Sequence, residues 1–72
     1  MGTNKYIVHG RWGWGWEVRR DSFQSHPIES AIAAQELADG LNSGLEFGQA
    51  CARAKLTFRN GRGYPAGTRD TH

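Results

Sequence analysis

Residues 25–41 read Ser25-His26-Pro27-Ile28-Glu29-Ser30-Ala31-Ile32-Ala33-Ala34-Gln35-Glu36-Leu37-Ala38-Asp39-Gly40-Leu41, and this stretch decides the fold class. Ile28, Ala31, Ile32, Gln35, Ala38 and Leu41 recur at spacings of three and four, the period of one helical face, and only Gln35 among them is polar. Ala33, Ala34 and Leu37 add helix propensity. Ser25 or His26 is suited to cap the helix with Pro27 inside its first turn, and Asn42-Ser43-Gly44 is suited to end it.

On the N-terminal side, Tyr6-Ile7-Val8-His9 and Trp14 to Arg19 are β-prone runs joined by a glycine-containing connector, the pattern of a β-hairpin. Strand side chains alternate between faces, so Trp12, Trp14, Trp16 and Val18 are expected on one face and Gly13, Gly15, Glu17 and Arg19 on the other. Glycines inside a strand point to a bulge, strong twist or close approach by another backbone. Asp21 to Ser25 is polar and turn-like.

On the C-terminal side, Ser43 followed by Glu46 matches a capping box for a second helix, whose apolar face is Phe47, Ala50, Cys51, Ala54 and Phe58. Leu56-Thr57-Phe58 is also strand-like, and Asn60-Gly61 is a hairpin turn signal as well as a helix C-cap. The expected architecture is therefore an α+β fold: a two-stranded antiparallel hairpin followed by two α-helices. The alternative is β-β-α-β, with residues 55 to 60 as a third strand. Residues 1–61 form the expected compact domain and residues 62–72 an extended or disordered basic tail.

Seventy-two residues allow one small core. Three Trp, three Phe and two Tyr supply enough apolar bulk to exclude wholesale disorder. The single Cys51 cannot close an intrachain disulfide, which fits a reducing, cytoplasmic setting. No run is apolar and long enough for a secretory signal or a membrane span. The net charge of +2 hides segregation: residues 22 to 50 hold Glu29, Glu36, Asp39 and Glu46 without Lys or Arg, while both ends are basic.

Chemistry-bearing constellations are missing. His9, His26 and His72 are scattered and lie at no metal-ligand spacing to Cys51, so neither metal nor cofactor is expected. Cys51 falls on an apolar helical face, the place of a buried thiol and not of a nucleophile. Gly61-Arg62-Gly63-Tyr64-Pro65-Ala66-Gly67 lacks the spacing of a nucleotide-binding loop. No catalytic residue is expected, and the chain is read as a non-enzyme.

Two features remain. Three indoles on one face exceed what a short helix covers, so Trp16 is expected in the core, Trp14 between, and Trp12 exposed beside Arg11. Glu29 and Glu36, seven residues apart, superpose on one helical face with Asp39 close by. The leading expectation is a protein-interaction module, an accessory or inhibitory protein of phage or mobile-element type. It would dock on a larger protein or nucleoprotein complex through Arg11, Trp12, Trp14, Glu29, Glu36 and Asp39. The alternative is nonspecific single-stranded nucleic-acid binding, with Trp12 stacking on bases and Arg11, Arg59, Arg62 and Arg69 neutralising phosphates.

Overall fold

The computed structural model describes residues 5–10 and 15–65. The element order is β1 (Ile7–Gly10), β2 (Trp16–Arg20), β3 (Phe23–Gln24), α1 (Ala31–Asn42), α2 (Phe47–Ala54), β4 (Leu56–Arg59) and β5 (Arg62–Pro65). The fold is α+β, with a three-stranded antiparallel sheet in the order β1-β2-β3 and a second antiparallel hairpin, β4-β5.

The first two β-prone runs do pair, with Val8 opposite Val18 and His9 opposite Glu17. A third strand then forms inside the polar stretch expected to be a turn: Arg20 pairs with Phe23 and Arg19 with Gln24 across Asp21 and Ser22, with Asp21 at φ 52°. Pairing continues beyond it. Ser25 donates its backbone N–H to the Val18 carbonyl (2.9 Å), and its Oγ accepts the Val18 N–H (3.0 Å). Ile28 then exchanges both backbone hydrogen bonds with Trp16 (2.6 and 2.9 Å). Between these contacts the chain advances three residues on one strand and two on the other, the signature of a β-bulge.

On its other side the same segment meets β5. Gly63 donates to the Pro27 carbonyl (2.7 Å) and its own carbonyl accepts from Glu29 (2.8 Å), a parallel bridge at Ile28. Both sheets are thus joined through Ile28, which is fully buried. This overturns the expected helix start. Ser25, His26 and Pro27 are held extended, and Ser30 is the N-cap, its Oγ accepting the Ala33 N–H (3.2 Å).

The phase of α1 also differs from the expected one. Its buried residues are Ala33, Ala34, Leu37, Ala38, Gly40 and Leu41, whereas Ile32 is 75% exposed. Gln35 on the expected face was the sign that the apolar stripe lies about a third of a turn away. The helix ends where Asn42-Ser43-Gly44 indicated, but Ser43 caps α1 instead of opening α2: its hydroxyl donates to the Asp39 carbonyl (2.9 Å). The start of α2 is fixed three residues later by Glu46, whose N–H is accepted by the Gln49 side chain (3.1 Å).

The expected second helix stops at Ala54, because Lys55 takes a left-handed conformation (φ 59°, ψ 47°). Residues 56–59 are a strand, as in the alternative reading, and Asn60 (φ 53°) and Gly61 (φ 75°) form the two-residue turn. The strand Arg62–Pro65 carries paired structure past residue 61, and residues 66–72 lie outside the described residues.

Half of the ten buried core hydrophobics are alanine: Ala33, Ala34, Ala38, Ala50 and Ala54, beside Val18, Ile28, Leu37, Leu41 and Leu56. Small side chains let α1 and α2 approach closely, and a Cβ on Gly40 would stand 3.2 Å from the Ala50 Cβ. Leu37 is the largest core group that α1 supplies. Leu37→Ala is expected to lower unfolding free energy by about 2–5 kcal/mol. Ile32→Ser, on the solvent side, is expected to change it by less than about 0.5 kcal/mol. Urea denaturation of both variants checks the helix phase, and the opposite ranking would refute it.

Candidate interaction surface

Residues opposite one another in paired strands share a face. Following the pairings through Ile28, one face carries Val8, Trp16, Val18, Arg20, Phe23, Ile28, Gly63, Phe58 and Leu56, and both helices pack on it. The other face carries Ile7, His9, Glu17, Arg19, Gln24, Thr57, Arg59, Arg62 and Tyr64 and has no helix over it.

Aromatic side chains from the strands of the helix-bearing face and from α2 form a row. Tyr6 meets Phe23 edge-on with ring centroids 5.7 Å apart, Phe23 meets Phe47 at 6.0 Å, and Phe47 meets Phe58 at 5.8 Å. His26 closes the row at 6.3 Å from Phe58, and the Arg20 guanidinium lies 4.9 Å over the Tyr6 ring at the other end. Such pairs hold one another in place, each contributing about 0.5–1.5 kcal/mol beyond burial. Yet Phe23 and Phe47 remain 37% and 40% exposed. The row is a preformed apolar strip with a cation at one end. Sequence reasoning missed it because its members come from β3, α2, β4 and the segments just before β1 and just after β3. Phe47 and Phe58 were expected to share a helical face; they meet instead across α2 and β4.

Trp16 is 36% exposed and so is not the core residue that alternation suggested. Gly15, at φ 67°, ends the strand just before it, and a Cβ on Gly15 would collide with the Ile28 carbonyl oxygen. The close backbone approach expected at these glycines is thus present at Gly15. The Trp16 indole lies over Gly10, within 3.8 Å of where a Cβ would stand. Arg11, Trp12 and Trp14 lie outside the described residues, as do Arg69 and His72.

The acidic residues do not form the expected strip. Glu29 precedes α1 instead of sharing its face with Glu36, because the helix starts at Ala31. Glu36 and Asp39 are exposed on α1 and, with Arg53 of α2, line a shallow recess of about 310 Å³. Gln35 also donates to the Asp39 carboxylate (3.0 Å).

On the helix-free face Glu17 is only 3% exposed. Its carboxylate accepts a hydrogen bond from Gln24 Nε2 (2.8 Å) and lies 3.5 Å from both Arg19 Nε and His9 Nδ1. A carboxylate this buried needs such partners, since desolvation alone would disfavour its charge. Arg59 and Arg62 are exposed on the same face, and the Arg59 guanidinium lies 5.0 Å over the Tyr64 ring. Among the described strand residues, Glu17 is the sole carboxylate facing this side.

Among the described residues no group of three or more His, Cys, Asp or Glu side chains is placed to hold a metal ion. No described helix is long and apolar enough to cross a membrane. Cys51 is half-buried on α2, and burial pushes its thiol above the ordinary value. No protein-family model matches the chain, and no curated protein or solved structure is significantly similar to it.

The raised Cys51 value has a defined consequence for stability. Below the ordinary thiol pKa both states are protonated and folding is unaffected; above it the unfolded chain loses its proton first, so stability falls as pH rises into the raised range. Urea midpoints measured across the alkaline range are expected to fall more steeply for the native chain than for Cys51→Ala. Parallel curves would show that the thiol is not desolvated.

Proposed function

We propose that this chain is a non-enzymatic interaction module that docks on a larger protein or nucleoprotein complex through its aromatic row. The observation that carries the reading is the exposure of Phe23 and Phe47 within a row ordered by edge-to-face contacts, with Arg20 beside it. Aromatic and arginine side chains dominate interface energetics, and rings already held in place lose little entropy on binding. An accessory or inhibitory role in a reducing, cytoplasmic setting fits a small chain with one unpaired, half-buried cysteine.

A photo-crosslinking residue at position 47, in the chain expressed in its own host, is expected to give a discrete protein adduct. Phe23→Ser should abolish that adduct while leaving the circular dichroism spectrum unchanged. The same crosslinker at position 32, exposed on α1, is expected to give none. Equal adducts at both positions, or none at 47, would overturn the reading.

A second reading is supported by the helix-free face. Arg59 and Arg62, with Arg59 stacked on Tyr64, are the kind of cations and ring used to bind single-stranded nucleic acid. Two neutralised phosphates imply a slope of roughly −1.4 for log affinity against log salt, which is about a sevenfold loss between 50 and 200 mM. Arg59→Ala is expected to flatten that slope. Absence of binding to a labelled single strand at low salt would eliminate this reading.

A further inference from the structure

We infer that the outer edge of β4 is a strand-addition site for an extended acidic peptide. The direction of its backbone groups follows from Gly63. That residue gives its N–H to Pro27 and its carbonyl to Glu29, so neither is shared with Phe58, which stands opposite it. In an antiparallel ladder a residue without bonds to its opposite number turns its N–H and C=O the other way. The Phe58 backbone groups therefore point away from β5, and those of Leu56 do the same by the two-residue alternation. No described residue pairs with that edge.

The opposite edge of the fold is closed at one position. Val18 uses its N–H and carbonyl on Ser25, so β1 turns the backbone groups of Tyr6, Val8 and Gly10 outward. The Asn42 carboxamide occupies the first of these positions, accepting the Tyr6 N–H (2.8 Å) and donating to the Tyr6 carbonyl (3.0 Å). No described residue bonds the Phe58 backbone in this way.

Charge selects the occupant. Residues 47–65 contain Arg53, Lys55, Arg59 and Arg62 and no Asp or Glu. A second copy of the chain is a poor fit. It would bring a segment of the same positive charge, with its own Arg59 and Arg62, against this basic edge, and like charges repel. An added strand would place alternate residues beside Thr57 and Arg59 on the helix-free face, and the others beside Leu56 and Phe58 on the apolar one. The matching segment is an extended peptide alternating acidic and apolar residues, bound by main-chain hydrogen bonds with side chains setting the choice. This site shares Phe58 with the aromatic row but takes its main-chain hydrogen bonds from β4.

The test uses a capped peptide of alternating glutamate and valine, titrated into the isotope-labelled full chain and followed by amide NMR. Expected are shifts centred on residues 55–59, at least tenfold slower hydrogen exchange at Phe58, and at least tenfold weaker binding in Arg59→Glu. N-methylation of the peptide residues that face β4 is expected to abolish binding, and methylation of the alternate residues to leave it. Phe23→Ser, a change in the aromatic row at a ring that does not touch Phe58, is expected to bind the peptide normally, which separates this site from docking through that row. The inference is overturned by any of three results: no binding at millimolar peptide, equal binding of both methylated forms, or shifts centred on Val8 and Gly10. A lysine-valine peptide that bound as well would overturn the acidic assignment.

Discussion

Ile28 exchanges backbone hydrogen bonds with Trp16 on one side, while its neighbours Pro27 and Glu29 hold Gly63 on the other. The rest of the structure depends on this double pairing. It unites the two β regions, and it keeps residues 25–28 extended so that α1 cannot begin before Ala31. It also places a fully buried side chain where the helices meet the sheet. Gly15 and Gly63 are the positions that allow it. A side chain on Gly15 would strike the Ile28 carbonyl, and one on Gly63 would stand 2.8 Å from the Phe58 ring and 3.1 Å from Ile28.

With that joint in place, alanine and glycine let the two helices pack closely, and Leu37 and Leu41 of α1 join the core. The aromatic row bridges β3, α2 and β4 and leaves two phenylalanines partly in water. The opposite face of the sheet has another character: its carboxylate is buried among Gln24, Arg19 and His9, and its arginines project.

Local signals were legible. Asn60-Gly61 forms a hairpin because both residues tolerate positive φ, and the apolar run from residue 31 is helical because its period is helical. The pairing of the first two strands followed from their β-branched and aromatic content. The candidate sites were legible only in part. Arg59 and Arg62 are exposed on the helix-free face, Glu29 sits outside the helix it was assigned to, and the indole-bearing segment at 11–14 lies outside the described residues.

The sequence by itself determined the α+β class, the first hairpin, the end of α1 at residues 42–44 and the turn at residues 60–61. The helix end and the turn rest on interactions that span only a few residues, and the class and the first hairpin on the residue types within each run. Tertiary structure alone decided that Ile28 is a strand residue, that Leu37 faces inward while Ile32 faces water, and that Tyr6, Phe23, Phe47 and Phe58 stand in one row. Those outcomes depend on partners about 10 to 40 residues distant, Trp16 and Gly63 above all, whose backbone hydrogen bonds carry no mark in the local pattern of side chains.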